Sequence, residues 1–260
     1  MTALILDGAL RSTPGNWRGA LDAFRTVLSE AVDGLNSDTA PRLIARLRSE
    51  ELPAPARRRS AVNTRIGVLL EYSLGAHLNK QFRDANVPLV AAYVVSNRFP
   101  DIVVRDLGDY RPLLRLEIKC IHRGATERSA NFDTPLNILK PASDLLVVLF
   151  WTWQAVSGAD DRLFARIELS GAFDAYVLAR ARDLVWVNDY RASFGQAPAT
   201  FKAIDFRGPL IRTNRLKPEE GNLGKLTRIA AGELPDVLAD ESQTVQEYRQ
   251  FVAELPEERE

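Results

Sequence analysis

The chain has 260 residues, 46% of them hydrophobic, enough to bury one large core or a core with a small appendage. Formal net charge is zero, so no global basic field announces a polyanionic partner, and a single cysteine and two histidines exclude an internal disulfide, a cysteine-based zinc cluster and a His-rich metal site. No signal peptide opens the sequence and no apolar run reaches membrane-spanning length, which gives the expectation of a soluble, cytoplasmic protein with no membrane contact.

Residues 1–56 read as an N-terminal helical region packed on a core. Asn16–Ser29 sets Trp17, Ala20, Leu21, Phe24, Val27 and Leu28 at helical spacing. Asp38 or Thr39 is placed to cap a second helix, with Pro41 in its first turn and Leu43, Ile44 and Leu47 inward, until Pro53 and Pro55 interrupt it. The region suits plain packing or a dimer contact. Arg57, Arg58 and Arg59 follow on a flexible approach, suited to a phosphate backbone and equally to a solvated loop.

Asn63–Phe82 is expected as a helix capped by Asn63. Ile66, Leu69, Leu70, Leu74 and Leu78 make it apolar almost all round, so it should be largely buried. Glu71 is the exception, projecting between Gly67, Gly75 and Leu78. A buried carboxylate is costly unless it is paired, protonated or bound to a metal; a salt bridge to Arg65 or a nearby basic residue is the structural alternative. His77 reads as a hydrogen-bonded core histidine.

Val87–Val95 reads as a strand. Phe99–Ile121, FPDIVVRDLGDYRPLLRLEIKCI, then holds two apolar runs around Gly108-Asp109, a pair that favours chain reversal. A hairpin centred near Asp109 puts Asp101 across from Glu117, because the two are equidistant from that turn. Strand side chains alternate, so Glu117 and Lys119 share a direction while Cys120 turns away as a core thiol. Two carboxylates and an amine then converge at the hairpin mouth. Carboxylate oxygens suit Mg²⁺, which activates water and neutralises charge developing on phosphorus. A neighbouring lysine orients that water and stabilises the same charge. The competing reading is a solvated edge-strand charge pair, and a different register would substitute Asp106 or Asp109 for Asp101.

Beyond Lys119, a polar run includes His122, Arg123, Arg128 and Asn131, suited to base edges or phosphates or to a plain surface loop. Pro141 stops any short helix. Asp144–Trp153 is continuously apolar, as in a strand buried on both faces. Leu163–Leu169 is a further candidate strand. A helix is expected from Ser170 or Gly171 to about Val187, with Phe173, Tyr176, Val177, Leu178 and Leu184 inward. Arg191–Ile229 mixes Gly, Pro, aromatic and basic residues. Arg212, Asn214, Arg215, Lys217 and Lys225 make it a candidate DNA-facing segment, gripping phosphates ahead of reading bases, with an ordinary surface loop as the alternative. Val245, Tyr248, Phe251 and Val252 dock one face of a terminal helix. Nearly all cations are Arg, which suits bidentate phosphate and guanine contacts, although GC-rich coding produces the same bias. No phosphate-binding glycine loop, His-x-Glu pair or Ser-His-Asp order stands out.

Pro100-Asp101 and Glu117-Ile118-Lys119 resemble the PD-(D/E)XK nuclease superfamily, which includes most type II restriction endonucleases. GVLLEYSLGA around Glu71 resembles the helix of MutH-like mismatch-repair endonucleases of the same superfamily. The added strand at Val87–Val95 and the wide spacing from Asp101 to Glu117 look more like the type II enzymes. The resemblance implies an α/β fold with a restriction-endonuclease-like αβββαβ core, a mixed central sheet flanked by helices, and N-terminal helical elements. It places the nuclease core at 57–190 and a DNA-contacting C-terminal extension at 191–260, forming one compact domain together with 1–56. It implies Asp101, Glu117 and the Ile118 carbonyl as ligands of Mg²⁺ (with Mn²⁺ able to replace it), Lys119 as the catalytic lysine, and Glu71 as a helix acid serving the same site. The implied function is a homodimeric restriction endonuclease cutting double-stranded DNA. A repair nickase and a non-catalytic DNA-binding protein of the same fold are the alternatives.

Overall fold

Two amphipathic helices open the chain, α1 (Thr2–Arg11) and α2 (Trp17–Ser37). The apolar stripe of α2 continues past Ser29 through Ala31, Val32 and Leu35, all buried, and carries the helix to Ser37. The computed structural model describes residues 1–38, 47–48, 56–94, 99–123, 132, 134, 136–155, 162–182 and 242–254; at 47–48, 56–61, 162 and 242 it describes the backbone alone. Most of the helix expected after Asp38 lies outside these residues. Its Leu47 belongs instead to β1 (Leu47–Arg48), which pairs antiparallel with Leu163 and Arg162.

α3 spans Ala56–Asp84. Asn63 therefore lies inside the helix and does not cap it, and the backbone of Arg57, Arg58 and Arg59 is helical where a flexible approach was expected. Alanine and arginine are strong helix formers, and Pro55 stands immediately before the first turn. Ile66, Leu70, Leu74, Leu78 and Phe82 are buried at helical spacing, whereas Leu69, expected inward, is exposed together with Val68 and Tyr72.

The sheet follows as β2 (Leu89–Tyr93), β3 (Ile102–Asp106), β4 (Pro112–His122), β5 (Asp144–Ala155) and β6 (Arg162–Asp174). With β1 these make a mixed sheet in the order β1-β6-β5-β4-β3-β2, in which β2, β3 and β4 pair as an antiparallel meander. The architecture is α/β, with helices packed on the sheet. Alternate strand residues (Ile102, Val104, Leu114, Leu116, Val147, Leu149, Trp151 and Ile167) share one core with Leu6, Leu10, Phe24, Leu28, Leu70 and Leu78 of the helices. The N-terminal helices thus belong to the core itself. In β5, Asp144 through Trp151 are all buried, as a strand covered on both faces requires.

Two asparagines from helices engage strand backbone. Asn79 of α3 donates to the Ala91 carbonyl at 2.9 Å and accepts from its N–H at 2.8 Å. Asn36 of α2 does the same to Ile167 at 2.8 and 3.0 Å.

A helix between β4 and β5 is not seen among the described residues: 136–138 and 141–143 are turns, while 124–131, 133 and 135 lie outside the description. β6 runs through Ser170, Gly171 and Phe173 to Asp174, where a helix had been expected. Helix α4 begins only at 175 and is described to 182, and the Asp174 carboxylate accepts the Val177 N–H at 3.0 Å as its cap.

The chain divides into two compact units. The first holds residues 1–128 and 145–172, with α1–α3 and most of the sheet. The second holds residues 129–144 and 173–260. In it, buried Arg182 donates to the Phe132 and Thr134 carbonyls at 2.6 and 3.0 Å. Phe173 packs edge-on against Tyr248 and Phe251 of helix α5 (Ser242–Ala253). Val245, Tyr248 and Phe251 are buried and Val252 partly so. Among the described residues no helix is long and apolar enough to cross a membrane.

Candidate active site

The β3–β4 hairpin sets the geometry. Ile102 pairs with Leu116, Val103 with Arg115 and Val104 with Leu114, the register centred on Asp109. A bulge between Val104 and Arg105 absorbs the turn and leaves the open end unchanged. Asp101, the residue before β3, therefore stands across from Glu117. Its N–H donates to the Leu116 carbonyl at 2.9 Å and its carbonyl accepts from Val94 at 2.8 Å. Its carboxylate Oδ2 accepts the Ile118 N–H at 2.7 Å. Both backbone groups and the side chain of Asp101 are thus fixed by the two flanking strands. The Ile118 group seen at Asp101 is its N–H rather than its carbonyl.

Glu117 is buried, and Lys119 Nζ donates to its Oε1 at 2.7 Å. Burial alone would pull the Lys119 ammonium down. The Glu117 charge and hydrogen bond, with Asp101 and Glu71 behind them, outweigh it and hold the lysine above its ordinary value, hence protonated.

The helix brings a third acid. Gly67, Glu71 and Gly75 are spaced by four and share one face of α3. A Cβ at Gly67 would stand 3.3 Å from the Cys120 Cβ, and one at Gly75 would stand 3.2 Å from Ile102 Cδ1. Missing side chains on both sides of Glu71 let the helix lie close against the hairpin. Burial first, then the neighbouring Asp101 charge, push the Glu71 carboxyl from 4.5 up to about 7, with Glu117 adding and Lys119 partly offsetting. The basic residue whose charge acts on Glu71 is Lys119 rather than Arg65. Tyr93, at the end of β2, donates its hydroxyl to Glu71 Oε2 at 3.4 Å, and its ring stacks on Tyr72 with centroids 4.0 Å apart. Burial, with the Glu71 charge next, keeps the Tyr93 phenol well above its ordinary range.

Cys120 is only partly buried and packs against the core on the helix side. Burial, then the charges of Glu71 and Asp101, push its thiol up, which leaves it protonated and a poor nucleophile.

The two rival acids lie at the other end of the hairpin. Asp106 accepts the Gly108 N–H at 2.7 Å and pairs with Arg11 at 2.8 Å. Asp109 accepts the Arg111 N–H at 2.9 Å within the turn. His77 packs between α2 and α3, 3.8 Å from Asp38. Arg123 is exposed and paired with Glu168 at 2.6 Å. Arg128, Asn131, Arg212, Asn214, Arg215, Lys217 and Lys225 lie outside the described residues, as do the side chains of Arg57, Arg58 and Arg59. Tyr72 and Tyr93 were not among the expected site residues. Their signal was positional: Tyr72 adjoins Glu71, and Tyr93 pairs with Ile102, the neighbour of Asp101.

Among the described residues no three His, Cys, Asp or Glu side chains stand gathered at ligand spacing. The donor set, carboxylates with no thiolate or imidazole among them, fits a hard dication such as Mg²⁺. That ion keeps several waters and takes one or two carboxylates rather than a closed protein cage. Asp101 and Glu117, with Glu71 behind, are the side chains that would hold it. Comparison with protein-family models, with curated proteins and with solved structures finds no match to this chain.

Proposed function

We propose that the chain is a divalent-metal-dependent endonuclease of the PD-(D/E)XK type, cutting double-stranded DNA at specific sequences as type II restriction enzymes do, and acting as a homodimer. The observation that carries this reading is the open end of the β3–β4 hairpin, where Asp101 stands across from Glu117, Lys119 is bonded to Glu117, and Glu71 is pressed into the same field. The charges of Asp101 and Glu117 both raise the Glu71 carboxyl, and such mutual repulsion favours binding a cation.

Bound there, Mg²⁺ would supply an activated water and offset the charge that develops on phosphorus. Asp101, tied by its own backbone to both neighbouring strands, holds a carboxylate in a fixed position. Lys119, protonated and partly buried, presents a positive charge beside Glu117, suited to orienting water and stabilising the pentavalent transition state. Glu71 would hold a second metal or the water shell of the first.

Supercoiled plasmid in Mg²⁺ tests the reading. Linear product is expected from paired cuts, whereas nicked circles alone favour the single-strand nickase. Lys119→Ala should lower cleavage by at least about 100-fold, the usual cost of removing a transition-state donor, while DNA binding persists. Undiminished cleavage by that variant removes the catalytic assignment. Binding with no cleavage by the native chain, in Mg²⁺ or Mn²⁺, favours a non-catalytic DNA-binding protein.

A further inference from the structure

Tyr72 is the feature that the hydrolytic chemistry leaves unused. About half of its surface is open, at 49% exposure, although its ring is not loose. One face lies on Tyr93 at 4.0 Å between centroids and 20° between planes, and Tyr93 is itself bonded to Glu71. With one face covered by Tyr93, about half of the residue still meets solvent. A large aromatic ring in water normally folds against its own helix or finds a core. This one is held upright by a second tyrosine that is anchored to the acid of the candidate site. The same stripe of α3 exposes Val68 and Leu69 one turn earlier, and Arg65 one turn before those. An exposed aromatic ring, apolar flanks and a cation in line make the pairing that binds single-stranded nucleic acid, in which rings take bases and cations take phosphates.

We propose that the Tyr72–Tyr93 pair is a stacking platform for one unpaired nucleobase of the substrate, beside the phosphate that is cut. The proposal rests on the nuclease reading for its position and adds a feature of that substrate: within the double-stranded DNA that is cut, the nucleotide next to the cut is out of the helical stack. Bases inside an intact duplex keep both faces covered by their neighbours, so a tyrosine face reaches one only at a single strand, a bulge or a flipped nucleotide. Continuity with the site favours a base over a second copy of the chain, since Tyr72 adjoins Glu71 and the stack ends on the Glu71 carboxylate.

The test measures binding of a mixed-sequence single strand, of its perfect duplex and of a duplex with one bulged 2-aminopurine. The Lys119→Ala background suppresses cutting, and each substrate is titrated against Tyr72, Tyr72→Phe and Tyr72→Ala proteins. The expected result is tighter binding of the single strand and the bulge than of the duplex, with 2-aminopurine emission quenched on binding. Tyr72→Phe should retain this. Tyr72→Ala should weaken single-strand binding by roughly 5- to 100-fold, the range for losing one stacked base, and abolish the quenching. Tyr72 is exposed, so the variant should fold, and unchanged circular dichroism checks that. Equal binding by all three proteins, or a Tyr72→Ala protein that turns from dimer to monomer with DNA binding intact, overturns the platform. Cleavage by the otherwise native Tyr72→Ala protein separates the two ideas: persistent cutting with unaltered binding leaves the nuclease standing without the platform. Tyr72-dependent single-strand binding by a chain that never cuts leaves the platform without the nuclease.

Discussion

The two ends of one hairpin treat their acids in opposite ways. At the closed end, Asp106 is bonded to the Gly108 N–H and to Arg11, and these partners hold its carboxyl below its ordinary value. At the open end Glu71 is pushed to about 7 by burial and by the charge of Asp101, and Lys119 is bonded to Glu117 beside them. What differs is burial and neighbouring charge: Asp106 meets an arginine and a backbone N–H, whereas Glu71, brought in by α3, is buried beside a second carboxylate. Where a carboxylate stands apart from other acids and meets a cation, it fastens structure. Where carboxylates crowd around one cation, the fold bears a cost that a bound dication would relieve.

The largest expected effect breaks the comparison directly. Asp101→Asn should lower Mg²⁺-dependent cleavage by at least about 100-fold, while Asp106→Asn leaves cleavage near the native level. Equal loss from both, with both proteins folded, would mean that the two ends do not differ in function. Next is the pH dependence of stability. The folded value of Glu71 lies above its unfolded 4.5, so the native state holds the extra proton, and the contribution is complete below pH 4.5 and lost as pH rises through about 7. Denaturant unfolding should show Glu71→Gln gaining on the order of 2 kcal/mol over the native protein at pH 8, with the gap closing towards pH 4.5. A gap that does not vary with pH would place Glu71 in ordinary solvent. A smaller effect sharpens the metal side: Mg²⁺ should raise the melting temperature at pH 8, and Asp101→Asn should remove that rise. Smallest is Asp106→Asn itself, a modest loss of thermal stability at neutral pH. Because the Asp106 value is lowered, that loss should disappear as acid takes the pH below its folded value, and persistence in strong acid would show that the Arg11 contact is not what matters.

Much of the site was readable because a hairpin is a local object. Gly108 and Asp109 fix the turn, the turn fixes the register, and the register alone sets Asp101 across from Glu117. Glu71 stood out as a charge on an apolar face, and the flanking Gly67 and Gly75 were visible beside it. Misreadings fell where one local cue competed with another. Asn63 has the chemistry of a cap, yet the helix-forming run from Ala56 carries the helix past it. Ser170 and Gly171 look like a strand's end, but β6 continues to Asp174, whose position three residues before Val177 was the better capping signal. Cys120 alternates away from Glu117 and Lys119 as expected, and that same alternation turns it towards α3 and the charge of Glu71, a tertiary fact that strand periodicity does not contain. Stacking of Tyr72 on Tyr93 likewise depends on how a helix lies over a strand from another part of the chain.

Asn79 has a consequence for self-association. β2 is the rim of the sheet, and a rim with bare peptide groups is a template on which another strand can crystallise. By occupying both the N–H and the carbonyl of Ala91, the asparagine acts as a one-residue counterfeit strand and closes that template at its middle. Two copies of this chain are therefore steered away from fusing their sheets at this border, and a protein carrying Asn79→Leu would be the one to watch for fibrils.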